Sequence, residues 1–376
     1  MKNPITPEIM RHQCGAAESD AAVTNNATEK CVTEKCVTEN CVTEKCVTAE
    51  NVTAENIPMQ TLRKCNLPIF IPHLGCPHSC AFCNQKKITG VDTLITPKTA
   101  ENMIEKYLST VPNGARTEVA FFGGSFTALP LNLQEDFLKA ANKFSSSLCG
   151  IRLSTRPDCI NDEILDLLKR YNVTEIELGA QSSSDEVLAA SMRGHTFADT
   201  VRASKLIKNR GIRLGLQMML GLPKSTPETD IKTAKDLIAL SPDSTRIYPT
   251  VVLEGTALCD MDYEPYTLAL AAETAAKIIP LFKEAGVQIL RVGLHSSEDL
   301  SGGFVQKGPY HPAFGEIAES LIMRGKIEEK ILCGEFSGAF PCKMSEVSKV
   351  IGHKKMNKIY FKEKYNIDLK AAVTTK

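Results

Sequence analysis

Cys76-Pro77-His78-Ser79-Cys80-Ala81-Phe82-Cys83 is the stretch on which the reading of this chain turns. It sets three thiols at intervals of four and three positions on one short segment, a spacing that lets a single loop hold a cubane of iron and sulfur. A [4Fe–4S] cluster has four corners to ligate. Three cysteines leave one iron open, and an open iron is a place for a small molecule to bind and react. A zinc site completed by His73 or His78 is the chemical alternative, because tetrahedral zinc accepts thiolate and imidazole. Zinc sites more often pair two separated hairpins than crowd one loop. The odd number of cysteines in this loop, three, and the lack of any export signal argue against disulfides.

Outward from this segment, the text after Leu67 alternates short apolar runs with longer amphipathic ones, the pattern of repeated β-α units around a parallel sheet. Leu67–Pro72 reads as a first strand feeding directly into the cysteine loop. Thr96-Pro97 marks a helix start, and Glu118–Phe122, Ile151–Ser154, Thr174–Leu178, Ile212–Met218 and Ser244–Tyr248 read as further strands. Between them lie helices through Leu133–Phe144, after Asn161 as an N-cap, over Phe197–Asn209 and over Glu228–Leu240, with an Ala-rich helix at Tyr266–Phe282. Six such units make an α/β fold, a partial (β/α)6 barrel of TIM type. Beyond Val287–Val292 the text turns helical and irregular. Residues 63–293 are therefore expected to form the barrel and 294–376 a small C-terminal extension.

The N-terminal side differs. Cys31, Cys36, Cys41 and Cys46 recur in a Cys-Val-Thr-Glu-Lys repeat, a period that matches neither helix nor strand. Its thin apolar content makes residues 1–62 an expected disordered arm. Steps of five do not supply the close cysteine pairs that a metal-binding tail would use. The whole chain has 376 residues, with Lys plus Arg and Asp plus Glu both 44 and 43% hydrophobic residues. Zero net charge gives no global pull towards nucleic acid or an anionic membrane. There is neither a leader-like apolar run in the first twenty residues nor a later stretch of about eighteen apolar residues, so no membrane association and a cytoplasmic, reducing location are expected.

In barrels of this kind chemistry sits at the C-terminal ends of the strands. Strand two ends in Gly123-Gly124-Ser125, where missing side chains let backbone approach a ligand. Strand three ends in Ser154-Thr155-Arg156-Pro157-Asp158 and strand four in Gly179-Ala180-Gln181-Ser182, with Met192-Arg193-Gly194-His195-Thr196 following. Strand five runs into Gln217 and Gly221-Leu222-Pro223, and strand six into Ile247-Tyr248-Pro249-Thr250.

The cysteine spacing resembles that of the radical S-adenosylmethionine (radical SAM) superfamily. The ordered motifs over about Leu67–Leu258 resemble the radical-SAM subunit of the Elongator complex and, more distantly, the oxygen-independent coproporphyrinogen oxidases. The resemblance implies a [4Fe–4S] cluster on Cys76, Cys80 and Cys83. It also implies S-adenosylmethionine at the open iron, and one-electron cleavage to a 5′-deoxyadenosyl radical. It carries Phe82 to the adenine, the Gly123, Gly124 and Ser125 loop to the methionine amino group, and Arg193 to the methionine carboxylate, where a planar guanidinium suits a planar anion. Gln181 and Gln217 match ribose-contacting positions. Two departures are visible. Ser154 stands where these families often place a glutamate, and Gln217 where the coproporphyrinogen oxidases place an aspartate, so charge assistance to the ribose is weaker. Tyr248 is the candidate for contact with substrate or radical, with a core tyrosine as its alternative.

By the same resemblance the implied substrate is RNA, tRNA above all, with an electron donor such as a ferredoxin or flavodoxin. A small-molecule or porphyrin-type substrate is the second reading, and a non-catalytic iron–sulfur or zinc protein the third. The text after the last matched motif is too short for the acetyltransferase domain of the Elongator subunit, and the basic N-terminal segment that grips RNA is replaced by the repeat. His353, Lys354, Lys355, Lys358, Lys362 and Lys364 form a local basic patch that reads as a phosphate contact or, more simply, a solvated helix face.

Overall fold

The computed structural model describes residues 64–71, 75–84, 95–112, 115–295, 303–336 and 338–374. The expected repeat arm and His73 lie outside the described residues. The chain divides into a small unit, residues 1–65 with Val111–Arg116, and a large one, Asn66–Thr110 with Thr117–Lys376. The residues of the candidate site all lie in the large unit.

The first half of the barrel follows the expected alternation. Strand β1 (Lys64–Phe70) precedes helix α1 (Pro97–Leu108), whose N-cap Thr96 accepts the Thr99 amide at 3.1 Å while Pro97 fills the first turn without wasting a donor. Then come β2 (Arg116–Phe122), α2 (Leu131–Asn142), β3 (Gly150–Thr155) and α3 (Asp162–Arg170), the last capped by the Asn161 carboxamide at 2.9 Å from the Ile164 amide. Strand β4 (Val173–Gln181) leads to the short α4 (Asp185–Ala190) and to α5 (Phe197–Asn209), which opens on a capping box between Thr196 and Asp199. Strand β5 (Arg213–Leu220), α6 (Pro227–Ala239), β6 (Ser244–Pro249), the two-residue β7 (Val252–Leu253), α7 (Leu268–Glu284) and β8 (Gln288–Val292) complete it.

The main sheet runs β1-β2-β3-β4-β5-β6-β8 and is parallel from β2 onward. It is an incomplete barrel of seven strands, one more than the six units counted in the sequence, because Gln288–Val292 pairs with β6 and carries no further β-α unit after it. Beyond it, β9 (Val305–Lys307) pairs antiparallel with β7. Helix α8 (Phe314–Leu332), β10 (Ala339–Cys342), α9 (Val347–Ile351), α10 (Met356–Tyr365) and β11 (Lys370–Val373) follow. Met323, Ile327, Phe340, Cys342, Val350, Phe361 and Leu369 give this C-terminal part a core of its own. Among the described residues no helix is long and apolar enough to cross a membrane.

The two faces of the main sheet differ sharply. Ile151, Leu153, Ile176, Leu178, Leu214, Leu216, Met218 and Ile247 are all buried on one face, as alternation along strands requires. The other face holds charge. Arg152 on β3 donates to Glu118 on β2 at 3.2 Å and to Glu175 and Glu177 on β4 at 2.7 and 3.0 Å. Arg246 on β6 reaches Glu177 at 2.6 Å, Gln217 on β5 donates to Glu177 at 2.9 Å, and Ser244 donates to Glu175 at 2.6 Å. Burial opposes ionisation of Glu177, but Arg246, Arg152 and Gln217 outweigh it and carry the carboxyl down to about 2.

Removing Arg152 takes a cation away from three buried carboxylates, so Arg152→Met should cost about 3–5 kcal/mol in urea denaturation. Lys224→Met, which breaks an exposed pair with Glu186, should cost less than about 1 kcal/mol. Glu177 supplies a pH signature as well. Its folded carboxyl sits below the ordinary 4.5, so its stabilisation is complete above that pH and is lost as pH falls through about 2. Urea midpoints of the unsubstituted protein and Glu177→Gln, well separated at pH 7, should converge on acidification; a constant gap would contradict this charge state.

Candidate active site

The cysteine loop is pinned from two sides. The Ala81 amide donates to the Ser191 carbonyl at 3.0 Å and the Leu258 amide to the Ala81 carbonyl at 2.9 Å, while Cys83 closes a tight turn back onto Cys80. Ala81 is fully buried with Val252 and Leu258, and Phe82 packs on that cluster with Met261 and Tyr263. The Phe82 ring thus has a structural partner besides any ligand. Cys76, Cys80 and Cys83 are part-exposed and outside any disulfide.

Gly75, just before the first cysteine, has φ +73°, and a Cβ there would lie 2.3 Å from the Ser125 carbonyl. Only glycine lets the loop come this close to the end of β2. The approach brings the Cys76 sulfur to 3.6 Å from the Ser125 hydroxyl. Gly123 takes φ +91° in the same turn, and Ser125 is buried.

Arg193 links the loop to β4. Its Nη1 lies 3.1 Å from the Cys80 sulfur and its Nη2 donates to the Gly179 carbonyl at 2.6 Å. Gly179 has no room for a side chain, since a Cβ would stand 2.9 Å from the Gln181 amide nitrogen and 3.2 Å from Arg193. Gln181 itself adopts φ +67°, at a register shift between β4 and β5. Such strain in a non-glycine residue persists only where surroundings hold it. Gln181 Oε1 and Arg193 Nε are both buried and without a protein partner, an open acceptor on Gln181 and an open donor on the arginine that touches Cys80.

Ser154 lies on the charged face in register with Glu177. Gln217 is on that face too, but its amide is already committed to Glu177. Tyr248, also on β6, is part-exposed one pleat beyond Arg246. These residues share a sheet face with the end of β4 rather than the loop itself.

Three features escaped the sequence reading. Arg156 chelates Asp158 at 3.0 and 3.1 Å, stands 3.9 Å from the Cys80 sulfur and donates to the Arg193 carbonyl. The Thr155-Arg-Pro-Asp text was its signal. The charged sheet face was legible as polar residues at every second position of β3 to β6. Gly75 offered no signal beyond its place before Cys76. His195 is buried; burial first, then Arg193 and Arg156, push its imidazole down to about 4, which leaves it neutral. Asp230 braces Gly221-Leu222-Pro223 by accepting the Gly221 amide at 2.9 Å, and Tyr263 donates to the Gly221 carbonyl, so that motif is a braced turn. In the basic patch Lys358 pairs with Asp368 at 3.1 Å and Lys364 with Glu328 at 2.8 Å, which spends much of its charge internally.

No group of three or more His, Cys, Asp or Glu side chains is gathered at single-ion distance among the described residues. Sulfurs around one zinc sit within about 4 Å of each other, whereas a cubane holds its thiolates on separate irons and further apart. Three part-exposed thiols on one loop, with the Arg193 guanidinium on the Cys80 sulfur, supply the donor chemistry that an iron–sulfur cluster uses.

A sequence profile for the radical SAM superfamily matches residues 70–237, and one for the radical SAM C-terminal domain matches 242–324. This chain belongs to the radical SAM superfamily. Members of that superfamily carry a [4Fe–4S] cluster and use S-adenosylmethionine, and this radical SAM chain is an enzyme. It is 28% identical over 247 residues to a tRNA uridine(34) acetyltransferase of Methanocaldococcus jannaschii, a match covering 58% of this chain and 45% of that protein. It is 29% identical over 208 residues to Elongator complex protein 3 of Schizosaccharomyces pombe, covering 48% and 38%. The radical SAM chain thus spans about half or less of these relatives. A solved structure of Methanocaldococcus infernus Elp3 with an N-terminal deletion superposes with TM-score 0.53 at 22% identity, over 71% of this chain and 64% of that one, which shows a shared fold.

Gly75→Ala should cost about 1–3 kcal/mol in urea denaturation. Gly211→Ala, where φ is +70° but nothing lies within 4 Å of the new methyl, should cost about 1–2 kcal/mol from the left-handed backbone alone, less than at Gly75. Equal losses at the two sites would show that the contact with Ser125 is not tight.

Proposed function

We propose that this enzyme uses Cys76, Cys80 and Cys83 to hold a [4Fe–4S] cluster, binds S-adenosylmethionine beside it, and modifies RNA, tRNA in particular. The observation that carries the reading is Arg193, which spans the Cys80 sulfur and the end of β4 while leaving Nε unpartnered, as Gln181 Oε1 also is. A guanidinium donor there suits a carboxylate, and an amide acceptor suits an amino or hydroxyl group. When bound, the cluster supplies one electron to the sulfonium, yielding methionine and a 5′-deoxyadenosyl radical that takes hydrogen from substrate.

The chain's own residues hold and orient. Gly123, Gly124 and Ser125 offer backbone and a hydroxyl to the methionine amino group, and Ser154 and Gln181 hydrogen-bond the ribose. Gln217 contributes through its free carbonyl, since its amide serves Glu177. Phe82 flanks the adenine, and Tyr248 faces the substrate. The tRNA assignment rests on what the relatives are named for. An electron donor such as a ferredoxin or flavodoxin and a cytoplasmic, reducing location belong to the same proposal.

Anaerobic reconstitution with iron and sulfide, followed by reduction in the presence of S-adenosylmethionine, should yield 5′-deoxyadenosine. Cys80→Ala should keep the fold and lose both the product and the visible iron–sulfur absorption. Full absorption in that variant would refute the ligand assignment. A nucleoside missing from the tRNA of a deletion strain is expected; unchanged nucleosides with an altered small metabolite would shift the substrate away from RNA.

A further inference from the structure

The charged face of the sheet ends in a surplus arginine. Gly179, Gln217, Arg246 and Arg291 stand in one cross-strand row on β4, β5, β6 and β8. Arg291 joins that row through a local irregularity. Thr245 pairs with Ile289 but Arg246 pairs with Arg291, so β8 carries one extra residue and Arg291 turns onto the face of Arg246. Arg152 and Arg246 are matched with glutamates. Arg291, by contrast, makes no hydrogen bond and no ion pair among the described residues, although it is partly buried beside Arg246 and Tyr248.

Two guanidinium groups side by side repel, and a partly buried one without a counter-charge is costly. The arrangement is relieved by an anion. Glu177 occupies Arg246, whose guanidinium also lies over the Phe122 ring at 5.4 Å, so Arg246 is held in place and Arg291 keeps its donors. The row leads through Gln217 to Gly179, whose carbonyl takes Arg193, the residue that touches Cys80. An anion on Arg291 therefore belongs to whatever lies along this face next to the cysteine loop.

We infer that Arg291, with the Tyr248 hydroxyl and Arg246 beside it, is an oxyanion subsite that takes a phosphate of the nucleotide substrate. The inference rests on the radical SAM reading above and adds to it the substrate group that this side of the sheet receives. A backbone phosphodiester offers two non-bridging oxygens and one charge, which suit the uncommitted guanidinium fork of Arg291 with the Tyr248 hydroxyl as a further donor.

Binding of uridine 5′-monophosphate, uridine, inorganic phosphate and acetate to the anaerobically reconstituted full chain tests it by calorimetry at fixed ionic strength. The monophosphate should bind more tightly than uridine, with phosphate competing, and Arg291→Met should weaken it at least about tenfold while leaving uridine unchanged. Arg291→Lys should restore part of the loss, which separates lost charge from a disturbed fold. Equal affinity for the monophosphate in the unsubstituted protein and Arg291→Met, no preference for it over uridine, or acetate outcompeting phosphate would each overturn the assignment. Deoxyadenosine formation by the unsubstituted protein is scored separately, so that its absence counts against the radical SAM chemistry and not against this subsite.

Discussion

The carboxylate of Glu177 is the constraint on which the rest depends. It sits on β4 and is gripped at once from β3 by Arg152, from β5 by Gln217 and from β6 by Arg246. One side chain thereby fixes four neighbouring strands in register. A one-residue slip of any of them would turn its polar partner to the apolar face and leave Glu177 short. Ion pairs of this kind seldom add net stability over an apolar core; their value here is that wrong registers are expensive. Two residues further along β4, Gly179 presents the carbonyl that anchors Arg193. The geometry at the cysteine loop is therefore inherited from pairing in the sheet below it.

The cysteine loop is positioned by subtraction as much as by contact. Gly75 and Gly179 each remove a methyl from a place where one would collide, with the Ser125 carbonyl in one case and with Gln181 and Arg193 in the other. Backbone and side chains then meet at distances a Cβ would forbid. The polar atoms left over, Gln181 Oε1 and Arg193 Nε, are buried. An unpaired buried polar atom costs more than a hydrogen bond yields, and such atoms gather where a ligand completes them.

Much of this was written openly in the sequence, and the reason differs by element. Helix α5 could be bounded at Phe197–Asn209 because Thr196 and Asp199 form a cap and the run ends at Arg210-Gly211, all local chemistry. The cysteine spacing was local too. The charged sheet face was legible only as polar alternation within each strand; that Glu177, Gln217 and Arg246 meet was not, since they lie far apart in the chain and come together only once strand order and register are known. For the same reason Gln217 read as a ribose contact although its amide is tied to Glu177. The seventh strand was obscured because β8 is a part-exposed edge with no β-α unit after it. That Phe82 packs on Val252 and Leu258 was likewise hidden, because it depends on the return of the chain after β6.

The shared use of residues sets how function can be dissected. Gln217 and Arg246 serve Glu177, and Ser125 walls Gly75, so a substitution at any of them changes folding together with ligand binding. A loss of activity there cannot be assigned to chemistry. Gln181 Oε1, Arg193 Nε and Arg291 are different, because those atoms hold no other part of the protein in place. A change confined to such a group alters the free protein little and the complex fully. Arg193 is the mixed case, since its two terminal nitrogens bind Cys80 and Gly179 while Nε is open. Replacement by lysine keeps the charge but removes the fork, and would loosen the loop along with the ligand. Arg291 has no such second duty, and this makes it the cleaner probe of what the charged face is built to receive.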